Sequence, residues 1–292
     1  MLTVKPIDLI ELDYLSILEI IGEGAIELLQ GQITSDMEKL TDNNCCLGAL
    51  CNIKGRVESS FLVIKKPSVE KVFLLIGNKE VMKATEEILK KYSPFYKLEM
   101  KLNDQYKFIA IDKDFLSLKF PETNRKLSVQ SHKNFLRIHY LKKRFHLLII
   151  ERGSDCFEEN EISNNFIEWE KDNIINKDFN VKARDINKYT PHELGYHLTN
   201  RVDFEKGCYT GQEIVARMHY RAKKLPFLII GSVDSKENLS IDVYNLANKR
   251  VGTLLSSANQ ADSILCLFSM NKNYDNGEFK FKDSAPISVK LI

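Results

Sequence analysis

The stretch KGCYTGQE, residues 206–213, surrounds one cysteine with two glycines, a lysine and an amide–acid pair. Immediately after it, apolar side chains recur at helical spacing from residue 214 to residue 218. This spacing predicts a helix that begins near Gly211. We therefore expect Cys208 just before a helix N-terminus, where unpaired backbone N–H groups favour an anion.

The neighbours of this cysteine bear on its reactivity. Lys206 adds a positive charge that favours the reactive thiolate if the loop curls, although Glu213 competes for the same ammonium group. Gly207 and Gly211 remove side-chain bulk, which leaves room for a ligand or for another backbone segment. The alternative is that both glycines serve a tight turn and that Cys208 fills a small gap. The chemistry of the residues alone favours neither interpretation.

The kind of chemistry is limited by the scarcity of a partner base. No histidine adjacent in sequence makes an obvious Cys–His pair, and His192, His197 and His219 become candidates only through folding. An acyl-transfer mechanism of the protease type is therefore weakly supported. A thiolate that ligates a metal or exchanges disulfides needs no dedicated base, so the stretch around Cys208 favours that chemistry.

Length and composition indicate an ordinary globular protein. The chain has 292 residues, of which 43% are hydrophobic and 28% are charged, and this length predicts two domains, or one large domain with an appendage. Its six cysteines contain no CxxC pair and no zinc-finger spacing, so we expect neither a disulfide framework nor a resident metal site.

The expected location is the cytoplasm. Asp8, Glu11 and Asp13 lie where a signal peptide needs an apolar stretch. No apolar run approaches the roughly 18 residues of a membrane span, and free thiols persist in a reducing compartment. The net charge of +2 argues against direct binding of nucleic acid, unless basic residues are concentrated locally. An RNA-binding module that uses Arg217, Arg221, Lys223 and Lys224 therefore ranks last among the functional hypotheses.

The chain up to residue 222 reads as an α+β body. A short strand and a helix closed by Gly31 are followed by a hairpin that turns at residues 53–56. The segments 105–111 and 144–150 read as strands, and 160–173 reads as a helix. A further amphipathic helix follows Asn78, whose side chain is suited to capping it.

Beyond residue 223 the pattern changes to short strands at regular spacing with polar turns. Such a pattern predicts a small β-barrel or sandwich. We therefore divide the chain into a body of residues 1–222, made of two subdomains, and a C-terminal barrel of residues 223–292.

Three further features have ordinary interpretations. The basic residues from Arg217 to Lys224 suit a solvated helix end, with binding of phosphate or of a polyglutamate tail as the alternative. The Lys54-Gly55-Arg56 sequence suits a turn with solvated charges. Trp169 lies in a mixed helix and suits a core position.

Among the other cysteines, Cys51 is the best placed to act with Cys208, because it lies just before the glycine turn.

The sequence KGCYTGQE followed by IVARMHYR resembles the signature of the YgfZ family. These are folate-binding-type proteins implicated in iron–sulfur cluster assembly and tRNA modification. Four other blocks resemble the family in the expected order: LLQGQITSDM (28–37), ALCNIKGRV (49–57), TPHELGYHL (190–198) and VGTLLSSA (251–258).

The resemblance implies a fold shared with the glycine-cleavage T-protein, an aminomethyltransferase. That fold is a ring of three α+β subdomains around a tetrahydrofolate channel, and it ends in a small β-barrel. The resemblance also implies that Cys208 and Lys206 are the reactive residues. It assigns a cofactor-binding role to the family's motif residues: Lys54, Gly55, Arg56, Trp169, Tyr209, Gly211, Gln212, Glu213 and Arg217.

The implied partners are iron–sulfur enzymes or assembly proteins and a folate-like small molecule, with a cluster held transiently at most. Two departures narrow the function. Ser59 and Ser60 stand where the T-protein has an aspartate that assists one-carbon transfer, and a hydroxyl cannot replace a carboxylate as a base. Ile175 stands where relatives carry a glutamate that helps to hold the pterin. We therefore expect a non-catalytic accessory factor, with a folate-dependent one-carbon transferase as the alternative.

Overall fold

We describe the fold from a computed structural model, in residues 9–117, 127–154, 156–158, 161–236, 239–271, 274, 278–281 and 290–291. These residues form three antiparallel sheets and five α-helices. No helix in the described ranges is both long enough and apolar enough to span a membrane.

The N-terminal sheet has five antiparallel strands. They are β2 (Leu15–Ile21), β3 (Cys45–Cys51), β4 (Val57–Lys65), β5 (Val72–Asn78) and β6 (Glu99–Asn103). Their order is β3-β4-β5-β2-β6. β3 and β4 form the predicted hairpin, and their register shifts at Leu50/Cys51, immediately before the turn.

Two helices accompany this sheet, α1 (Ala25–Gln32) and α2 (Lys79–Lys90). α1 was predicted to close at Gly31 and ends one residue later. The side-chain oxygen of Asn78 accepts hydrogen bonds from the first backbone N–H groups of α2, which confirms the predicted cap.

The second sheet also has five strands. They are β1 (Leu9–Glu11), β7 (Tyr106–Asp112), β8 (Leu127–Ser131), β9 (Phe135–Tyr140) and β10 (Phe145–Glu151). Their order is β1-β7-β10-β9-β8, and a short helix, α3 (Lys113–Ser117), follows β7. Both strands predicted for this region are present.

The helix predicted over residues 160–173 begins later, as α4 (Ile167–Ile175). The cause is a backbone pairing in the preceding segment. The Ser163 N–H donates to the Leu9 carbonyl, and the Ser163 carbonyl accepts from the Glu11 N–H, both at 2.9 Å. These bonds extend the edge of the second sheet and hold Ser163 out of the helix.

The C-terminal strands form one six-stranded antiparallel sheet, a half-barrel. They are β11 (Phe227–Asp234), β12 (Asp242–Asn245), β13 (Arg250–Asn259), β14 (Ser263–Met270), β15 (Phe279–Phe281) and β16 (Lys290–Leu291). Their order is β15-β12-β13-β14-β11-β16. The predicted all-β character of the C-terminal part is thereby confirmed, while the division of the chain at residue 223 stays a prediction.

The three sheets surround a common space. One apolar core joins the N-terminal sheet to the half-barrel, and a second joins the two five-stranded sheets. Between them lies a cavity lined by Leu62 of the N-terminal sheet, Tyr140 of the second sheet and Ser256 of the half-barrel. This arrangement matches the predicted ring of three subdomains.

Candidate functional site

Cys208 lies in an exposed turn between two anchored neighbours. Its side chain is exposed, whereas Lys206 and Tyr209 on either side are buried. The Thr210 N–H donates to the Gly31 carbonyl at 3.2 Å. Because both sides of the turn are fixed to the protein, the thiol faces solvent from a well-defined position.

Lys206 ties this loop to the end of α1. The residue is 7% exposed, and its ammonium donates to the backbone carbonyls of Gln30 and Ile33, at 2.6 and 2.8 Å. Burial lowers the pKa of Lys206 to about 8, although nearby carboxylates oppose this shift. Carbonyls at a helix C-terminus are natural acceptors for a cation. The ammonium is thus engaged by α1, and its predicted role in activating Cys208 stays a prediction.

The Cys208 loop and the β3–β4 turn pack closely against each other at two glycines. Gly211 has φ +83°, and a Cβ there would lie 2.4 Å from the Asn52 carbonyl oxygen. Gly55 has φ +67°, and its Cβ would lie 3.0 Å from the Ile214 side chain. Gly207 differs, because a Cβ there would meet nothing within 4 Å. Gly211 therefore serves close packing, while Gly207 leaves open space beside the thiol.

The β3–β4 turn is organised by Asn52. Its side-chain oxygen accepts from the N–H groups of Lys54 and Arg56, at 2.9 and 3.1 Å. Arg56 in turn donates to the Lys188 carbonyl at 2.8 Å and pairs with Glu193 at 3.1 Å. The turn thus joins the segment before the loop to α5 (Gln212–Arg221), which begins at the predicted position.

The remaining signature residues divide by exposure. Gln212 is half-buried, whereas Glu213 and Arg217 lie exposed on α5. Tyr209 is 7% exposed, and its hydroxyl has no hydrogen-bond partner among the described residues. Burial raises the pKa of Tyr209, so it stays a neutral phenol beneath the loop. Tyr209 therefore supports the loop from below.

The other cysteines differ from Cys208 in exposure. Cys45, Cys51 and Cys266 are buried, and Cys46 and Cys156 are partly buried. Burial, and secondarily the Glu58 carboxylate, raises the pKa of Cys51 to about 12, so its thiol stays protonated. In the described residues, no group of three His, Cys, Asp or Glu side chains is arranged to hold a metal ion.

Folding brings the three candidate histidines together. The ring centroid of His192 lies 5.0 Å from that of His197 and 6.0 Å from that of His219. His219 also stacks on Phe204 at 3.7 Å. Burial, with the two neighbouring imidazoles, lowers the pKa of His192 to about 4. This ring is therefore neutral at pH 7 and packs as part of an aromatic cluster.

The central cavity contains Trp169, which the sequence placed in the core. The indole N–H donates to the Tyr14 hydroxyl at 2.8 Å. The Lys143 ammonium lies 4.9 Å from the indole ring and 4.5 Å from the ring of Tyr140. Aromatic faces with a cation above them form one wall of the cavity. A second cavity of about 420 Å³ adjoins it and shares Tyr140, Lys143 and Asp178.

A buried charge cluster forms another wall, and sequence reasoning missed it. Asp178 pairs with Lys143 at 2.5 Å and with Arg201 at 2.7 Å. Burial opposes ionisation of this carboxyl group, but the two cations outweigh it and hold the pKa of Asp178 well below its usual value. No motif marks these residues, and only folding places them together. The cluster supplies to the cavity an ionised carboxylate flanked by two basic side chains.

The positions that departed from the family pattern have structural roles. Ser59 and Ser60 are both fully buried. The Ser59 hydroxyl is bonded to the Thr85 hydroxyl at 2.7 Å, and the Ser60 hydroxyl accepts from the Val181 N–H at 2.8 Å. Ile175 is 58% exposed, so it does not replace a cavity carboxylate; Asp178, three residues later, provides one.

The predicted residues thus fall into two places. The β3–β4 turn, the Cys208 loop and α5 form one surface, while Trp169 lies in the cavity. The segment from Arg201 to Lys206 joins them, because the first residue reaches the charge cluster and the last holds the loop. A single chain segment therefore positions both parts of the candidate site.

Comparison with known proteins supports the predicted resemblance. No model of a known protein family matches the chain. It is 29% identical to the tRNA-modifying protein YgfZ of Colwellia psychrerythraea, over 74% of this chain and 68% of that protein. It is 25% identical to the protein of the same name from Escherichia coli O157:H7, over 96% of this chain and 90% of that protein. These similarities confirm the resemblance to the YgfZ proteins.

A solved structure has the same fold. The aminomethyltransferase T of the glycine cleavage system from Bartonella henselae superposes with a TM-score of 0.72. The match covers 96% of this chain and 83% of that chain at 11% sequence identity. The predicted relation to the T-protein fold is thereby confirmed.

Proposed function

We infer from the exposed thiol of Cys208, together with the similarity to the YgfZ proteins, that this chain supports tRNA modification as an accessory factor. Its contribution is the assembly or repair of iron–sulfur clusters in the enzymes that modify tRNA. The observation that carries the proposal is the contrast between Cys208, which is exposed on a fixed loop, and Cys45, Cys51 and Cys266, which are buried.

The chemistry follows from the surroundings of the thiol. A thiolate ligates iron, or attacks a disulfide and displaces one of its sulfurs as a thiolate, without a dedicated base, and both reactions require access from solvent. The space beside Gly207 leaves room for the partner's group. We place the reaction in the cytoplasm, where free thiols persist. The iron–sulfur cluster is the cargo, held transiently between Cys208 and the partner.

The central cavity, of about 60 Å³, is too small for a whole folate, but it adjoins the cavity of about 420 Å³, and the residues along the two cavities suit a folate's heterocycle. The aromatic rings of Trp169 and Tyr140 offer faces for a flat heterocycle, and Asp178 offers carboxylate oxygens for its N–H donors. Lys143 and Arg201 keep that carboxylate ionised. When bound, tetrahydrofolate supplies a carrier for one-carbon units. In the proposed function these residues bind and orient the folate, and the thiol chemistry takes place on the loop.

The central test is a cell that carries Cys208→Ala in place of the wild-type chain. We expect the methylthiolated tRNA produced by a cluster-dependent methylthiotransferase to fall severalfold, as measured by mass spectrometry of tRNA nucleosides. Cys156→Ala is the matched control, because it removes a partly buried thiol far from the loop in sequence. Unchanged tRNA modification with Cys208→Ala would refute the role of this cysteine.

A folate-dependent one-carbon transferase is the second candidate, and the shared fold with an aminomethyltransferase favours it. The buried hydroxyls of Ser59 and Ser60 weigh against it, because neither provides a carboxylate base. The chain has one tryptophan, Trp169, so quenching of its fluorescence reports folate binding in the cavity. Turnover of a one-carbon tetrahydrofolate by the purified chain would favour the transferase; binding without turnover would favour the accessory factor.

A further inference from the structure

Exposed basic side chains gather around the Cys208 loop. They come from the β3–β4 turn, from the segment before the loop and from α5 with the residues that follow it. We call this surface the basic face, and it consists of Lys54, Lys188, Arg217, Arg221, Lys223 and Lys224.

Packing contacts make these separate segments neighbours. The Asn52 side chain donates to the Asn187 side chain at 2.6 Å, which places Lys188 beside the turn. A Cβ at Gly55 would lie 3.0 Å from Ile214, which places the start of α5 against the same turn. The turn, Lys188 and the start of α5 are therefore neighbours, and the exposed Cys208 loop joins them because Gly211 also packs on the turn. Arg217 follows along α5, and Arg221, Lys223 and Lys224 follow at its C-terminal end.

The cations of this face are not neutralised locally. In the described part of the chain, none of the six has a carboxylate oxygen within 4.0 Å; Arg56, which lies beside them, is paired with Glu193. Glu213 lies one turn before Arg217 on α5 and is exposed, yet the two do not pair. The face thus presents an excess of positive charge to solvent.

A solvated helix end explains only part of this pattern. Cations at a helix C-terminus are favourable because of the helix dipole, which accounts for Arg221 and the two lysines after it. That effect does not account for Lys54, Lys188 or Arg217, which lie away from the C-terminus of α5. It also does not account for Tyr220, which is 64% exposed among these cations.

We propose that the basic face binds the phosphate backbone of RNA, with tRNA as the RNA. Arg217 and Arg221 are four residues apart on one helix face, so their Cα atoms are separated by about 6 Å along the helix axis. Each is able to contact a different phosphate. Tyr220, between them, offers an aromatic ring on which an unpaired base stacks. This proposal goes beyond the accessory function and does not depend on the role of the thiol.

Two other considerations favour RNA as the occupant. The net charge of +2 argued against nucleic-acid binding only if the basic residues were dispersed, and the fold concentrates six of them on one face. An acidic protein would be expected to bury apolar side chains as well. The most exposed aliphatic side chain at this place is Ile53, at 80%, with Ile214 beside the turn at 37%, so a substitution of Ile53 distinguishes the two occupants.

The test uses the full chain and a fluorescent tRNA transcript, with binding followed by anisotropy at several salt concentrations. We expect Arg217→Gln/Arg221→Gln to weaken binding by about tenfold and to reduce the slope of log K against log salt by about 1.4–1.8. Lys79→Gln/Lys83→Gln is the matched control, because both lysines are exposed on α2 with the same four-residue spacing. That variant should bind as the wild type does.

Three outcomes would overturn the proposal: no binding of tRNA by the wild type, equal losses in the two double variants, or polyglutamate competing as well as tRNA at equal charge. A loss of tRNA affinity in Ile53→Ala as large as in the arginine variant would also contradict it, because RNA does not need that side chain. Cys208→Ala should retain full tRNA affinity. This variant therefore separates failure of RNA binding from failure of the thiol function.

Discussion

The Cys208 loop and the central cavity hold chemically active side chains in opposite ways. The loop fixes its position by close backbone packing, with Gly211 on Asn52 and Lys206 on the carbonyls at the end of α1. In the cavity, ion pairs hold the side chains in place, because Asp178 lies between the buried Lys143 and Arg201. In the loop the Cys208 thiol is exposed, and in the cavity the charged groups are enclosed.

This difference determines which kind of substitution each region tolerates. The loop should be sensitive to added volume, because its contacts leave no space for a Cβ at Gly211. The cavity should be sensitive to loss of charge, because a buried ion without its partner is costly. We expect smaller effects from the reverse substitutions, which remove charge from the loop or add volume to the cavity without changing its charge.

The largest expected difference is in thiol alkylation. In the native protein, Cys208 should react with iodoacetamide at least about a thousandfold faster than Cys51, because a buried core thiol reacts only when the protein opens. Burial also raises the pKa of Cys51 to about 12. Mass spectrometry of alkylated peptides over time measures both rates. Rapid labelling of Cys51 would show that the β3–β4 turn and the loop are not packed as described.

The next largest effect concerns Asp178. We expect Asp178→Asn to lower the free energy of unfolding by about 3–5 kcal/mol, because it leaves Lys143 and Arg201 buried without a counter-ion. Urea denaturation measures this change. Asp242→Asn is the control, since Asp242 pairs with Arg250 where both side chains are more than 40% exposed. That variant should lose less than about 1 kcal/mol.

The difference in unfolding free energy between the wild type and Asp178→Asn has a predictable pH dependence. The folded-state pKa of Asp178 is below its unfolded value, so its stabilisation is fully present above the unfolded pKa, about 3.9. It is lost as the pH falls through the folded pKa. The difference between wild type and Asp178→Asn should therefore be constant from pH 5 to pH 7 and narrow only under more acidic conditions. A difference that narrows near neutral pH would contradict this account of the cavity.

A smaller effect separates the two glycines of the loop. Gly211→Ala should cost about 1–3 kcal/mol, because φ is +83° and the new Cβ would meet the Asn52 carbonyl. Gly207→Ala should change stability by less than about 0.5 kcal/mol, since its Cβ meets nothing within 4 Å. Thermal unfolding of the two variants measures both changes. Equal losses would mean that the loop is not held by shape at Gly211.

Local pattern in the sequence predicted the loop well and the cavity poorly. Helical spacing after Gly211 predicted the start of α5, and the glycine-centred turn predicted the β3–β4 hairpin, because both depend on neighbouring residues. The YgfZ signature identified the ring fold. The helix predicted from residue 160 began late because Ser163 pairs with β1, a contact between residues about 150 positions apart that no local pattern contains.

The charge cluster was missed for the same physical reason. Lys143, Asp178 and Arg201 lie in three different segments, and each alone reads as an ordinary solvated charge. Only the packing of the sheets makes them buried partners. Ile175 was expected to leave the cavity without a carboxylate, but its side chain is exposed, and the sequence did not indicate that Asp178 would provide a carboxylate inside the cavity.

Lys206 is the one charge of the loop that is buried as the cavity charges are, and it gives the most specific prediction. Its pKa is about 8 in the folded protein and about 10.4 in the unfolded chain. Between these values the unfolded chain binds more protons, so the free energy of unfolding should rise with pH. From pH 8 to pH 10 the wild type should therefore gain stability relative to Lys206→Met, as measured by urea denaturation.

Lys39→Met is the control for this measurement, because Lys39 is exposed and pairs with Asp203 at 2.6 Å, which raises its pKa. The stabilisation from Lys39 is present below its unfolded pKa and is lost only above it, so that variant should keep a constant difference from wild type between pH 8 and pH 10. If Lys206→Met also kept a constant difference, the ammonium would be solvated rather than held by α1. The loop would then depend on the shape of its glycines alone.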